Sequence, residues 1–141
     1  MTSPDDIAGI IQSGSADGAP GKPRRGHARV LLVEDDNALR RYLQVALERA
    51  GYKVVSAADG LEGMKLALSS EVDIVITDAM MPKLSGHEFC RFLRDSQQLS
   101  HLPIVLLSGS QQKEDELADA FLSKPVSIQE LTNCLAELLE K

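Results

Sequence analysis

Five side chains are of the types that handle phosphate and divalent cations: Glu34, Asp35, Asp78, Ser108 and Lys124. Each follows a short apolar run. Glu34, Asp35 and Asp36 come after Val30–Val33, Asp78 after Val72–Thr77, Ser108 after Ile104–Leu107, and Lys124, with Pro125 behind it, after Ala120–Ser123. If these runs are neighbouring strands, all the polar groups reach one rim. Three carboxylates on one turn and a fourth beside them repel one another by about 4 kcal/mol per close pair, taking roughly 4 Å and an effective dielectric of about 20. One lysine does not offset that. A hard divalent cation does, and magnesium favours a few carboxylates, retained waters and a phosphate oxygen. The group therefore reads as half a magnesium site that a phosphate would complete. Taken singly, Asp36 or Asn37 caps the next helix and Asp78 is a turn residue before Pro82. What carries the functional reading is that four kinds of group fall at the ends of different strands.

The elements that must position these residues follow from hydrophobic patterning. Short apolar runs alternate with longer helical patterns from Ala28 onward, which predicts an α/β fold with a parallel sheet covered by helices on both faces. Five strands are expected, at Val30–Val33, Lys53–Ser56, Val72–Thr77, Ile104–Leu107 and Ala120–Ser123. Helices are expected over Asn37–Ala50, with Gly51 as a left-handed stop, over Gly60–Ser69 and Ser85–Asp95, and over Ser127–Glu140, where Ser127 and Glu130 have capping-box spacing. Between Ser108 and Ala120 there is room only for a short helix, Lys113–Asp119. In open parallel sheets ligands bind outside the carboxyl ends of the strands, where the five polar residues lie.

A chain of 141 residues with 43% hydrophobic content has material for one real core. A net charge of -6 and a pI near 5.0 disfavour direct contact with nucleic acid or an anionic membrane. No apolar run approaches the roughly 18 residues of a membrane span, and a soluble cytoplasmic protein, monomeric or weakly dimeric, is expected. Cys90 and Cys134 lie far apart and form no evident disulfide framework. Residues 1–27 are rich in glycine and proline and read as a flexible tail, with residues 28–141 as the domain. Ile7, Ile10 and Ile11 give that tail three apolar side chains for weak docking.

Over essentially all of residues 28–141 the sequence resembles the receiver domains of two-component response regulators. Val33-Glu34-Asp35-Asp36 is similar to the acidic pair after the first strand, with Glu34 and Asp35 as the pair itself. Thr77-Asp78-Ala79-Met80-Met81-Pro82, followed by Ser85-Gly86, looks like the phosphoacceptor segment. Leu107-Ser108-Gly109 and Ser123-Lys124-Pro125 resemble the remaining two motifs, and Phe121 falls at the switch aromatic. The resemblance implies a flavodoxin-like sheet in the order 2-1-3-4-5, an order the general rules for doubly wound folds cite for a member of this family. It implies a histidine kinase or histidine phosphotransfer protein as donor, Asp78 as phosphoacceptor, and an otherwise non-enzymatic protein that catalyses only its own phosphoryl transfer and dephosphorylation. It also implies Mg2+ held by Asp35, Asp78 and the Met80 backbone carbonyl, with Glu34 acting through water, and Lys124 and Ser108 contacting phosphoryl oxygens. Ser108 and Phe121 would form the switch that changes contacts with a downstream protein. It further favours a cis peptide at Pro125.

One departure stands out. Ser108 and Lys124 are 16 positions apart, shorter than the family pattern by about one and a half helical turns, so a stunted fourth helix is expected. Two other functions fit parts of the pattern. A magnesium-dependent phosphohydrolase with an aspartyl nucleophile would need a second acid or base and a substrate cap, for which the short loops leave little room. An unphosphorylated receiver-like interaction module would not need the complete set of Glu34, Asp35, Asp78, Ser108 and Lys124. A flavin or nucleotide binder is disfavoured because the acids after the first strand repel phosphate where an anion-binding loop would be required.

Overall fold

The computed structural model describes residues 28–109 and 117–140. Strands β1 (Arg29–Val33), β2 (Lys53–Ala57), β3 (Ile74–Asp78), β4 (Ile104–Ser108) and β5 (Ala120–Ser123) alternate with helices α1 (Asn37–Arg49), α2 (Gly60–Ser69) and α3 (Gly86–Asp95), and α4 (Ile128–Leu139) closes the order. All pairings are parallel, and the sheet runs β2-β1-β3-β4-β5. The flavodoxin-like order expected from the sequence is therefore present.

Alternation along β1 explains the layers. Successive strand residues face opposite sides of a sheet. Val30 and Leu32 enter a core with Leu43 and Leu47 of α1 and Leu131 and Leu135 of α4. Leu31 and Val33 enter a second core with Ala67 of α2 and Phe89, Cys90 and Leu93 of α3. β3 and β4 are buried at every position, as strands covered on both faces must be. β5 lies at an edge and is only partly buried.

Local chemistry sets the helix ends. Leu39 N donates to the Asp36 side chain, making Asp36 the N-cap of α1, and Gly51 takes φ 104° where α1 stops. Complete capping boxes open α3 at Ser85 and Glu88 and α4 at Ser127 and Glu130. β3 begins at Ile74 rather than Val72. Asp73 bridges to β1 instead, its amide donating to Arg29 O and its carboxylate accepting from Arg29 N, both at 2.8 Å.

The short helix expected over Lys113–Asp119 falls largely outside the described residues. Its described end, Leu117–Asp119, is turn and bend rather than helix. The Arg94 guanidinium of α3 holds that end, donating to the carbonyls of Ser100, Leu102 and Leu117 and pairing with Asp119 at 2.8 Å. The same Asp119 oxygen accepts from Ile104 N, so the connection is tied to the start of β4. Among the described residues no helix is long and apolar enough to cross a membrane.

Candidate functional site

The carboxyl ends of β1, β3, β4 and β5 place the polar residues together. Glu34, the residue after β1, is fully buried. Asp35, one residue on, is exposed. Asp78 ends β3 and is 5% exposed. Glu34, Asp35 and Asp78 each offer a carboxylate oxygen within 4.8 Å of the others.

Lys124 bridges two of these acids. Its Nζ lies 3.1 Å from Glu34 Oε1 and 3.2 Å from Asp78 Oδ2. Lys124 N donates to Ser108 O at 2.7 Å, which fixes its backbone beside the end of β4. The Lys124–Pro125 peptide is cis, as expected. Asp78 Oδ1 accepts from Met80 N at 3.3 Å, which sets the Met80 backbone beside the carboxylate. Ser108 ends β4, fully buried, one residue beyond Leu107, the partner of Asp78 across the strands. Gly109 leaves its neighbourhood open: a Cβ there would come no closer than 3.9 Å to Lys124. Phe121, on the edge strand, is half-buried against the second core.

Electrostatics make Glu34 the unusual member. Burial pushes its carboxyl up to about 7, the Asp78 charge pushes the same way, and the Asp36 amide and Lys124 act against them. Glu34 Oε2 accepts from Asp36 N at 3.1 Å. Oε1 faces Lys124 in a charge contact without a well-directed hydrogen bond. Lys124 has its own affinity for a proton raised by the two acids, against the opposing effect of burial. A buried carboxylate oxygen lacking a directed donor, next to two further carboxylates, fits a hard divalent cation.

A pH dependence follows. Below pH 4.5 the Glu34 carboxyl is protonated in both the folded and the unfolded chain and contributes nothing. Between 4.5 and about 7 the unfolded chain releases this proton while the folded chain keeps it, so metal-free stability falls as pH rises and then levels off. The drop should be on the order of 1–3 kcal/mol relative to Glu34→Gln, measured by urea unfolding in chelator. Parallel wild-type and variant profiles across that window would contradict the assignment.

Sequence reasoning left two parts of the site unread. Asp36 was expected to cap α1 and does so, but its amide also anchors Glu34. Gly86 was noted only as part of a motif. A Cβ on Gly86 would stand 2.2 Å from the Asp78 carbonyl oxygen and 2.7 Å from Ala79 Cα, so close packing at the end of β3 requires glycine there. The adjacent Ser-Gly before a helical pattern was the available signal.

Comparison with known proteins decides the family. The family model of the response regulator receiver domain matches residues 30–136. The chain belongs to this family. As a receiver it is a signal-transducing domain of the two-component response regulators. It is 32% identical over 119 residues to the DNA-binding dual master transcriptional regulator RpaA of Synechocystis, covering 80% of this chain and 49% of that protein. It is 34% identical over 119 residues to the alkaline phosphatase synthesis transcriptional regulatory protein PhoP of Bacillus subtilis, with the same coverage. The receiver thus spans about half the length of the curated relatives it matches. Among solved structures, the chemotaxis response regulator CheY4 of Vibrio cholerae superposes with a TM-score of 0.74 at 31% identity, covering 79% of this chain and 98% of that one. TrrA of Thermotoga maritima, solved in complex with Mg(2+)-BeF, superposes with a TM-score of 0.73 at 29% identity over 79% of this receiver and 98% of its own chain.

Proposed function

We propose that the Asp78 carboxylate accepts a phosphoryl group from the phosphohistidine of a histidine kinase or histidine phosphotransfer protein in the cytoplasm, and that the acyl phosphate changes the receiver's contacts with a downstream protein. A carboxylate oxygen of Asp78 attacks phosphorus, the phosphorus–nitrogen bond breaks, and the imidazole leaves with the bond's electron pair and takes up a proton. The observation that carries this reading is the position of Asp78: almost wholly buried at a strand end, within 4.8 Å of two other carboxylates and 3.2 Å from a lysine.

Phosphoryl transfer has a loose transition state with charge spread over the equatorial oxygens, so the protein contributes mainly positioning and electrostatics. Glu34, Asp35, Asp78 and the Met80 carbonyl are the groups that would hold Mg2+, which when bound neutralises charge on the incoming phosphoryl group. Lys124 exchanges its contact with Asp78 for a phosphoryl oxygen while keeping Glu34 as counter-ion. The Ser108 hydroxyl donates to a second oxygen, and Gly109 leaves room beside it. Drawing Ser108 towards Asp78 shifts the end of β4, and Phe121 on the neighbouring strand turns further into the space released. Phosphorylation adds roughly -1.5 to -2 charge, enough to drive such a movement.

The test is phosphoryl uptake from a small phosphodonor, followed by intact mass. One phosphoryl group per chain should appear in Mg2+, with uptake falling at least about tenfold in chelator, since losing the cation's charge stabilisation costs the transition state about 1.4 kcal/mol or more. Equal uptake with and without the cation would count against the acidic cluster as its site.

A further inference from the structure

The outer face of α1 takes no part in the chemistry above. Tyr42 and Val45 are 57% and 39% exposed there, large apolar side chains in a shallow groove of about 420 Å³. Ala38, Arg41, Ala46 and Arg49 complete its lining. Neither arginine has an acidic partner among the described residues. An apolar strip between two uncompensated guanidinium groups is complementary to an acidic amphipathic segment.

The chain carries such a segment near its N-terminus. Ile7, Ile10 and Ile11 have the spacing of one helical face, directly after Asp5 and Asp6. Ser3, Pro4 and Asp6 together have the residue types and spacing of a helix start. The point of attachment is also favourable. Ala28 O accepts from Lys53 N at 3.0 Å, four residues beyond the end of α1 at Arg49, so the N-terminal segment joins the domain beside the groove. The 16 residues from 12 to 27 have an r.m.s. reach of about 22 Å if flexible. The length of α1 is about 20 Å. A tether of that reach gives a local concentration in the millimolar range.

We propose that residues 3–11 dock in cis on the outer face of α1, with Ile7, Ile10 and Ile11 on Tyr42 and Val45 and with Asp5 and Asp6 paired to Arg41 and Arg49. The groove begins at Ala38, three residues from Asp35, so a docked segment borders the approach to the acidic rim. This docking does not depend on phosphoryl transfer and is tested without it.

Amide NMR spectra of the full chain are compared with those of the full-length triple variant Ile7→Asp/Ile10→Asp/Ile11→Asp. The expected result is a shift of the Ala38, Tyr42, Val45 and Arg49 amides between the two proteins, unchanged on tenfold dilution. In Arg41→Glu/Arg49→Glu the amides of residues 5–11 should move to the positions they take in an isolated peptide of residues 1–27, and adding Asp5→Lys/Asp6→Lys should return those of residues 8–11 towards wild type. Coincident α1 amides in wild type and triple variant would overturn the proposal. So would shifts that fade on dilution, which would assign the groove to a second copy of the chain.

Discussion

Asp78→Asn should abolish phosphoryl uptake, lowering incorporation by more than about 1000-fold. The amide that replaces the carboxylate is not a nucleophile, and neighbours arranged around an attacking group do not act without it. The fold should survive, because asparagine is close to isosteric and removes one of three mutually repelling acids. Lys124 would keep Glu34 at 3.1 Å as its partner. Quantitative intact mass after exposure to a small phosphodonor and Mg2+ reads the loss, and a thermal melt of the same sample shows that the variant is folded. Residual uptake within tenfold of wild type would place the acceptor elsewhere, with Asp35 the first alternative because it is exposed in the same cluster.

Gly86→Ala should be the most damaging small substitution near the site. The added carbon would stand 2.2 Å from the Asp78 carbonyl oxygen and 3.0 Å from the Asp78 carbonyl carbon. Neither side has freedom to yield. Gly86 N donates to Ala79 O at 3.0 Å, Ala79 N donates to Leu107 O at 2.7 Å, and Ser85 is committed to the α3 capping box. Backbone must therefore move, at a cost of at least about 2–3 kcal/mol. The displaced segment carries Asp78, the proposed phosphoacceptor, so uptake should fall as well. Urea unfolding of the variant gives the stability change directly. A loss below about 0.5 kcal/mol, the range of an ordinary surface substitution, would mean that the loop between β3 and α3 relaxes freely.

The central strands were legible because β3 and β4 are buried on both faces, which requires near-continuous apolar runs. Their ends were legible for the opposite reason: polar groups that interrupt such runs at one rim are costly unless they face each other. The capping residues Ser85 and Ser127 were equally visible, since their partners Glu88 and Glu130 lie three residues away in sequence. What depends on distant contacts was less accessible. The start of β3 was placed two residues early because Val72 continues the apolar run, whereas Asp73 makes its bonds to Arg29 on another strand. The tying of Leu117 and Asp119 by Arg94 spans more than twenty residues and leaves no local pattern. The same holds for Gly86, whose requirement arises from a loop that returns against β3. The difference in burial between the adjacent acids Glu34 and Asp35 was also out of reach, because β1 is covered on both faces and alternation there does not separate a buried from an exposed side.

The most direct measurement of the central claim is the backbone amide spectrum recorded with magnesium and beryllium fluoride, a phosphoryl mimic, in wild type and in Asp78→Asn. Magnesium-dependent shifts at Asp78, Ser108, Phe121 and Lys124 that vanish in the variant are the predicted result, and they would trace the signal from the acidic rim to the edge strand. An unchanged wild-type spectrum under the same conditions would contradict the phosphoacceptor assignment.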